Sequence, residues 1–205
     1  MKTILIANPK GGCGKTTLST NIAGFFASIG KRVALLDMDR QQSSALWLQT
    51  RPDDLPPIRA MKYNKDSDQP SDCLVIDSAA GLPGSNLACS LVKQANKIIV
   101  PVVPSLFDLH ASRDFLVELL EEKKVRGSKC QIGVVGMRMA ARTRAATVLE
   151  EFLDTLELPI LAYLRETQVY VNAAFDGKSL FDLPHYIADR ELEQWLFLQE
   201  WLEQD

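Results

Sequence analysis

The chain has 205 residues, of which 46% are hydrophobic and 24% charged, and its formal net charge is −3. These values are typical of one α/β domain with a sizeable core, and we expect residues 1–205 to form a single domain. The bulk charge does not indicate nucleic-acid binding, so any DNA binding requires a local basic surface. The sequence contains neither an apolar stretch long enough to span a membrane nor a signal-peptide pattern, which predicts a cytoplasmic location.

A glycine-rich segment follows the first predicted strand, at residues 3–8. Residues 10–17 read Lys-Gly-Gly-Cys-Gly-Lys-Thr-Thr. They match the phosphate-loop pattern G-x-x-x-x-G-K-[ST], except that Pro9 takes the first glycine position. Glycines let the backbone curl with its N–H groups pointing inward, and the helix predicted at residues 15–29 offers its N-terminus to an anion.

Two side chains of this segment suit a nucleotide with a bound metal ion. Lys15 supplies a point charge for the β- and γ-phosphates, and the Thr16 hydroxyl can hold Mg²⁺. A chance glycine turn is the alternative interpretation. The position of the segment at a strand–helix junction near the N-terminus favours the phosphate loop.

The second predicted strand, at residues 33–37, ends in acidic residues and precedes a short predicted helix at residues 41–49. In open α/β sheets, ligands bind beyond the carboxyl ends of the strands, so Asp37 and Asp39 should lie on the same edge as the phosphate loop. One of them can orient a water molecule or reach the metal ion. Asp39 has passed the strand end and is freer to face a γ-phosphate, although a merely polar strand end is the alternative.

The strand predicted at residues 73–77 has the shape of a Walker B segment. It follows a surface excursion at residues 50–72 and reads Cys-Leu-Val-Ile-Asp, four apolar residues before Asp77. Such an aspartate holds Mg²⁺ through water. Gly81 lies four residues further on, where its N–H could sense a γ-phosphate.

The remaining apolar segments continue to alternate with helical patterns. Further strands are predicted at residues 58–61, 97–102, 131–137 and 160–164. Further helices are predicted at residues 87–94, 105–122, 140–156 and 189–203. Strands that are apolar on both faces and separated by helices indicate a mostly parallel sheet covered on both sides. The predicted fold class is therefore α/β, P-loop NTPase-like.

Basic residues occur in two groups. Arg138, Arg142 and Arg144 lie where a strand is followed by a helix, and a second group falls in a predicted turn at residues 123–129. A solvated surface explains each group as well as a DNA-binding surface does.

The segment at residues 10–17, with Lys10 at its front, resembles the deviant Walker A box of the ParA/MinD ATPases. Asp37-Met38-Asp39 and Ile76-Asp77 with Gly81 fall where that family has its remaining motifs. The resemblance covers most of the chain and is closest to short ParA proteins that position plasmids or protein compartments such as carboxysomes. The family's usual Asp-Pro-Gln is here Asp39-Arg40-Gln41.

The resemblance implies ATP and Mg²⁺ as cofactors and a role for each matching residue. Lys10 would reach across a dimer interface to the partner's phosphates, Lys15 would bind phosphates within its own chain, and Asp39 would orient the attacking water. Thr16, Asp39 and Asp77 would hold the metal ion. The residues predicted around the nucleotide are Gly11, Gly12, Cys13, Gly14, Lys15, Thr16, Thr17, Gly81, Met137 and Arg138.

The resemblance further implies a cytoplasmic, nucleoid-associated ATPase whose ATP-bound homodimer binds DNA without sequence preference. A ParB-like or McdB-like adaptor on the cargo would stimulate hydrolysis and release. One alternative is a MinD-like membrane-positioning ATPase, which needs a basic amphipathic tail, whereas residues 189–205 are rich in acids. Two others are a small-molecule synthetase on the same scaffold and an iron–sulfur-bridged dimer using Cys89 and Cys130.

Overall fold

The computed structural model describes residues 1–63, 70–80, 86–126, 129–140 and 142–204, with the backbone alone at residues 86–89, 106–107 and 123–126. The strands are β1 (Lys2–Ile6), β2 (Val33–Asp37), β3 (Ile58–Met61), β4 (Cys73–Asp77), β5 (Lys97–Val102), β6 (Gln131–Met139) and β7 (Ile160–Arg165). The helices are α1 (Lys15–Ser28), α2 (Ser43–Thr50), α3 (Asn86–Gln94), α4 (Leu106–Arg126), α5 (Arg144–Asp154), α6 (Gln168–Phe175) and α7 (His185–Glu203), with a 3₁₀ turn at Leu180–Asp182.

The described strands form one parallel sheet in the order β3-β2-β4-β1-β5-β6-β7. Residue Asp77 of β4 lies in register with Ile6 of β1 on one side and with Asp37 of β2 on the other. The carboxyl ends of these three strands therefore meet at one edge, which we call the carboxyl edge. This arrangement confirms the predicted α/β, P-loop NTPase-like fold.

Both faces of the sheet are covered by helices. On one face, Ile4 and Ile6 belong to a core that includes Leu18 of α1 and Trp195 of α7. On the other face, Leu5 belongs to a second core built with α3, α4 and α5. The strands are apolar throughout because alternate residues enter different cores. Fully burying side chains of this size stabilises the fold by roughly 1.5–3 kcal/mol each.

The C-terminal helix α7 packs on the sheet, as its amphipathic pattern predicts. Trp195, Leu198 and Leu202 are fully buried. Lys2 Nζ donates to the carbonyl oxygens of residues 202, 203 and 204 at 3.0, 3.1 and 2.8 Å. A cation at this position stabilises the C-terminal end of the helix dipole. Among the described helices, none is both long enough and apolar enough to cross a membrane.

Several element boundaries differ from the sequence predictions. Strand β6 continues to Met139, so Arg138 lies inside a strand, and α5 begins only at Arg144 because the Thr143 side chain caps it by accepting from Ala146 N. Helix α4 continues to Arg126, which places part of the second basic group in a helix rather than in a turn. Helix α6, which the sequence pattern did not predict, is capped by Thr167.

Candidate nucleotide-binding site

The glycine-rich loop between β1 and α1 has the backbone conformation that its glycines permit. Gly12 and Gly14 have φ angles of 74° and 98°, in the left-handed region. A Cβ atom at Gly14 would lie 2.5 Å from Met137 Cε. Met137 is buried beneath the loop. Gly14 is therefore favoured mainly by its φ angle, because the Met137 methyl group lies at the end of a flexible side chain and could move.

Lys15 and Cys13 shape the loop from within. Lys15 is 7% exposed, and its Nζ donates to the carbonyl oxygens of Asn8 at 3.1 Å and Lys10 at 2.7 Å. Cys13 is also buried, its thiol donates to the Lys10 carbonyl oxygen at 3.3 Å, and burial raises the pKa of this thiol. The Cys13 side chain thus supports the loop from its buried side.

The backbone of Lys10 is fixed by a hydrogen bond, and the residue is half-buried at the front of the loop. Its N–H donates to Asn8 Oδ1 at 2.9 Å. Asn8 Nδ2 in turn donates to the carbonyl oxygen of Pro101 at 2.7 Å and to Ser112 Oγ at 3.0 Å. The front of the loop is therefore anchored to β5 and α4.

Thr16 and Asp77 bring two oxygen ligands together at the carboxyl edge. Thr16 Oγ1 donates to Asp77 Oδ2 at 2.9 Å, which leaves the lone pairs of the Thr16 oxygen available. Burial raises the pKa of Asp77 to about 6, the Thr16 hydrogen bond opposes the rise, and the negative charge of Asp37 adds to it. A carboxylate buried at this cost is well suited to a cation that neutralises it.

The two acidic residues that follow β2 have different surroundings. Asp37 uses both oxygens within the fold: Oδ1 accepts from Asp39 N and Oδ2 from Ala45 N, each at 2.9 Å. Asp39 accepts from Gln41 N at 2.9 Å, is half-buried, and lines the cleft described next. Asp37 therefore positions the turn and the start of α2, while Asp39 faces the ligand side.

The glycine-rich loop, Thr16 and Asp39 line a cleft of about 510 Å³ at the carboxyl edge, whereas the predicted residues Lys10, Cys13, Asp77 and Met137 are not part of its lining. The predicted site residues that line it are Gly11, Gly12, Gly14, Lys15, Thr16, Thr17, Asp39 and Arg138. Gly81 lies outside the described residues. The lining also includes Arg40, Gln41, Ser43, Ala79 and Ala80, which we did not predict. Their positions directly after the two acidic strand ends could have indicated them, since consecutive loop residues share one edge.

The residues present fit Mg²⁺. The donors are a hydroxyl and carboxylates, which are the hard oxygen ligands that Mg²⁺ prefers, and Asp77 Oδ1 is buried with no hydrogen-bond partner among the described residues. Within that same part of the chain, no group of three or more His, Cys, Asp or Glu side chains could hold a metal ion alone. This is the usual situation for Mg²⁺, which one or two carboxylates bind together with substrate phosphates.

Helix α2, which begins at this cleft, is fixed at its C-terminal end. Arg51, directly after α2, donates to both carboxylate oxygens of Asp182 at 2.9 Å, and both side chains are almost completely buried. Trp47 Nε1 donates to the Lys178 carbonyl oxygen at 3.2 Å. Helix α2 is thereby attached to residues 177–182 near the C-terminus.

Comparison with known proteins points to nucleotide-binding relatives. Residues 4–180 match the CobQ/CobB/MinD/ParA nucleotide binding domain. The chain is 31% identical over 191 residues to Maintenance of carboxysome distribution protein A of Halothiobacillus neapolitanus. The aligned region covers 88% of this chain and 87% of that protein. It is 22% identical over 176 residues to Protein ParA of Rhizobium radiobacter, covering 78% of each.

Solved structures show the same fold. An ATP complex of a McdA variant from Cyanothece has a TM-score of 0.77 at 17% identity and covers 100% of this chain and 98% of that one. The MinD cell division protein of Aquifex aeolicus has a TM-score of 0.75 at 20% identity, with coverage of 100% and 98%. At these identities the likeness concerns the fold.

Proposed function

Since the chain belongs to the CobQ/CobB/MinD/ParA nucleotide-binding family, we propose that it is a ParA-type ATPase that positions a cargo by cycles of ATP binding and hydrolysis. The observation that carries this proposal is the cleft itself. The glycine-rich loop, Thr16 and Asp39 line one volume large enough for nucleotide phosphates, and Thr16 is hydrogen-bonded to the buried Asp77.

In the proposed reaction, the loop N–H groups and Lys15 bind the phosphates, after Lys15 exchanges its loop carbonyl partners for phosphate oxygens. Thr16 and Asp77 would hold Mg²⁺, which when bound would supply positive charge to the phosphate oxygens. Asp39 orients the water that attacks the γ-phosphorus, the bond to the β–γ bridging oxygen breaks, and ADP and inorganic phosphate leave. Asp39 would also contribute to holding the metal ion.

Lys10 has the role of joining two copies of the chain. Its backbone is fixed through Asn8, while Lys15 already serves the same chain's loop. A second subunit facing the carboxyl edge would bring the Lys10 cation onto the partner's nucleotide. We therefore propose a homodimer that forms when ATP is bound.

The dimer would bind DNA through surface cations and would respond to a ParB-like or McdB-like adaptor on the cargo, at the nucleoid within the cytoplasm. Arg138, which lines the cleft, is exposed, as are Arg142 and Arg144, and the three are candidates for such contacts. DNA affinity of this electrostatic kind falls steeply as salt increases.

The dimer proposal is tested by replacing Lys10→Ala in a hydrolysis-deficient Asp39→Ala background. Light scattering at saturating ATP and Mg²⁺ should give a dimer with Lys10 present and a monomer without it. The control is Lys31→Ala, which removes an exposed lysine after α1 and should leave the dimer intact. A Lys10→Ala chain that dimerises normally would refute the role of Lys10.

DNA binding is tested separately, by measuring retention on DNA with ATP, with ADP and without nucleotide. Retention should be strongest with ATP. Equal retention in all three conditions would contradict a nucleotide-dependent DNA switch. It would not contradict the proposed ATP hydrolysis.

A further inference from the structure

Two buried oxygen atoms at the carboxyl edge have no hydrogen-bond partner among the described residues. They are Ser44 Oγ and Asp77 Oδ1. Ser44 is fully buried and Asp77 is 1% exposed. Buried polar atoms are nearly always hydrogen-bonded, so a pair of such atoms at one site calls for an explanation.

The backbone brings these two side chains to the same place. Ser44 lies in the first turn of α2, and the next residue, Ala45, donates its N–H to Asp37 Oδ2 at 2.9 Å. Asp37 and Asp77 are register partners on the neighbouring strands β2 and β4. The start of α2 is thus fixed beside the Asp77 carboxylate.

The state of the Ser44 hydroxyl is unusual for a serine near a helix start. Serine hydroxyls there generally bond to nearby backbone groups, and Ser44 Oγ makes no such bond. Burial raises the pKa of Asp77, and the nearby hydroxyls of Thr16, Ser44 and Ser19 lower it, although the contact of Ser44 with Asp77 is not a hydrogen bond of regular geometry. The hydroxyl therefore faces the carboxylate rather than its own helix.

Thr16 already occupies Asp77 Oδ2, so Oδ1 is the oxygen that remains for further binding. A water bound to Mg²⁺ is a strong donor, so Oδ1 can accept one hydrogen bond from it and Ser44 Oγ can accept the other. We propose that Ser44 is a positioning residue of the Mg²⁺ site, which together with Asp77 Oδ1 holds one water of the Mg²⁺ shell and so attaches α2 to the metal–nucleotide complex. This inference rests on the proposed Mg²⁺-dependent nucleotide site.

The test compares Mg²⁺ affinity with nucleotide affinity, so it does not depend on turnover. Isothermal titration of Mg²⁺ into the ADP complex should show that Ser44→Ala weakens Mg²⁺ binding about fivefold, the effect of one lost hydrogen bond. ADP binding in EDTA should stay at its wild-type value. Ser28→Ala is the matched control, because Ser28 lies at the far end of α1, where its hydroxyl bonds to the Phe25 carbonyl oxygen.

A double variant tests whether the Ser44 hydroxyl acts together with the Asp77 carboxylate. In an Asp77→Asn background, removal of the Ser44 hydroxyl should have little effect on Mg²⁺ affinity, because the charged acceptor of the shared water is gone. Unchanged Mg²⁺ affinity in Ser44→Ala, or equal weakening of ADP binding with Mg²⁺ and with EDTA, would overturn the positioning role. Wild-type protein that binds ADP without any Mg²⁺ dependence would instead refute the metal site of the proposed function.

Discussion

Buried polar groups at the amino ends and at the carboxyl ends of the parallel strands have different kinds of partner. At the amino edge, where the parallel strands begin, Lys97 is 1% exposed, donates to Gln131 Oε1 at 2.6 Å and lies 4.4 Å from the centre of the Trp201 ring. Lys15, at the carboxyl edge, is nearly as buried but bonds to carbonyl oxygens of a loop. The first lysine contacts side chains of the core, and the second has partners that a phosphate can replace.

Two acidic residues at the carboxyl edge also differ in their hydrogen-bond partners. Asp37 has both oxygens bonded to backbone N–H groups, whereas Asp77, its register partner, keeps Oδ1 without a partner among the described residues. Of these two residues at equivalent positions, Asp37 thus holds the turn and Asp77 is suited to a cation. At the carboxyl edge the partners of a buried polar group, more than its residue type, therefore indicate whether it is suited to bind a ligand.

The largest expected effect comes from removing the carboxyl-edge lysine. Lys15→Met should lower the rate of ATP hydrolysis by about 10²–10³-fold, because a fixed cation is lost where negative charge develops. Phosphate release measures the rate, and thermal unfolding checks that the variant folds. Lys97→Met is the matched variant at the amino edge, and a similar loss of hydrolysis there would contradict the division between the edges.

A smaller effect, on stability alone, is expected from Lys97→Ala. Loss of the buried stem leaves a cavity and removes the cation from the Trp201 ring, which should reduce the free energy of unfolding by about 3 kcal/mol. Urea denaturation measures this change. Nucleotide affinity should remain at the wild-type value, and a parallel loss of affinity would show that the two edges are energetically coupled.

The smallest effect is expected at Lys2, which is part of the amino edge but partly exposed. Lys2→Ala removes the cation from the C-terminal carbonyl groups of α7 and should cost about 0.5–1 kcal/mol of stability. The loss should shrink in high salt, since charge–dipole interactions near the surface are screened. A salt-independent loss would point to packing of the lysine stem instead.

Much of this site could be predicted because its signals are local. A glycine-rich segment after a buried strand, and aspartates at two strand ends, determine which residues reach the carboxyl edge. The strands at Val33–Asp37 and Cys73–Asp77 were predicted with the bounds that the structure shows.

What escaped prediction depends on contacts between distant segments. The approach of Met137 to Gly14 joins β6 to the loop, and no pattern in either segment specifies it. The sequence around Ser44 indicates an ordinary polar helix start, and the burial of Ser44 follows from the packing of α2 against β2 and β3. Helix α6 was missed because Val169 and Val171 are β-branched, which favours strands, whereas Thr167 caps the segment as a helix.

The buried pair between Arg51 and Asp182 joins residues 131 positions apart. Domains emerge from the ribosome with the N-terminus first, so the phosphate loop and α2 are synthesised long before the aspartate that holds the end of α2. An unpaired guanidinium is strongly disfavoured in the interior. The nascent chain consequently carries the glycine-rich loop and α2 early, but the end of α2 can be fixed only after Asp182 has been translated.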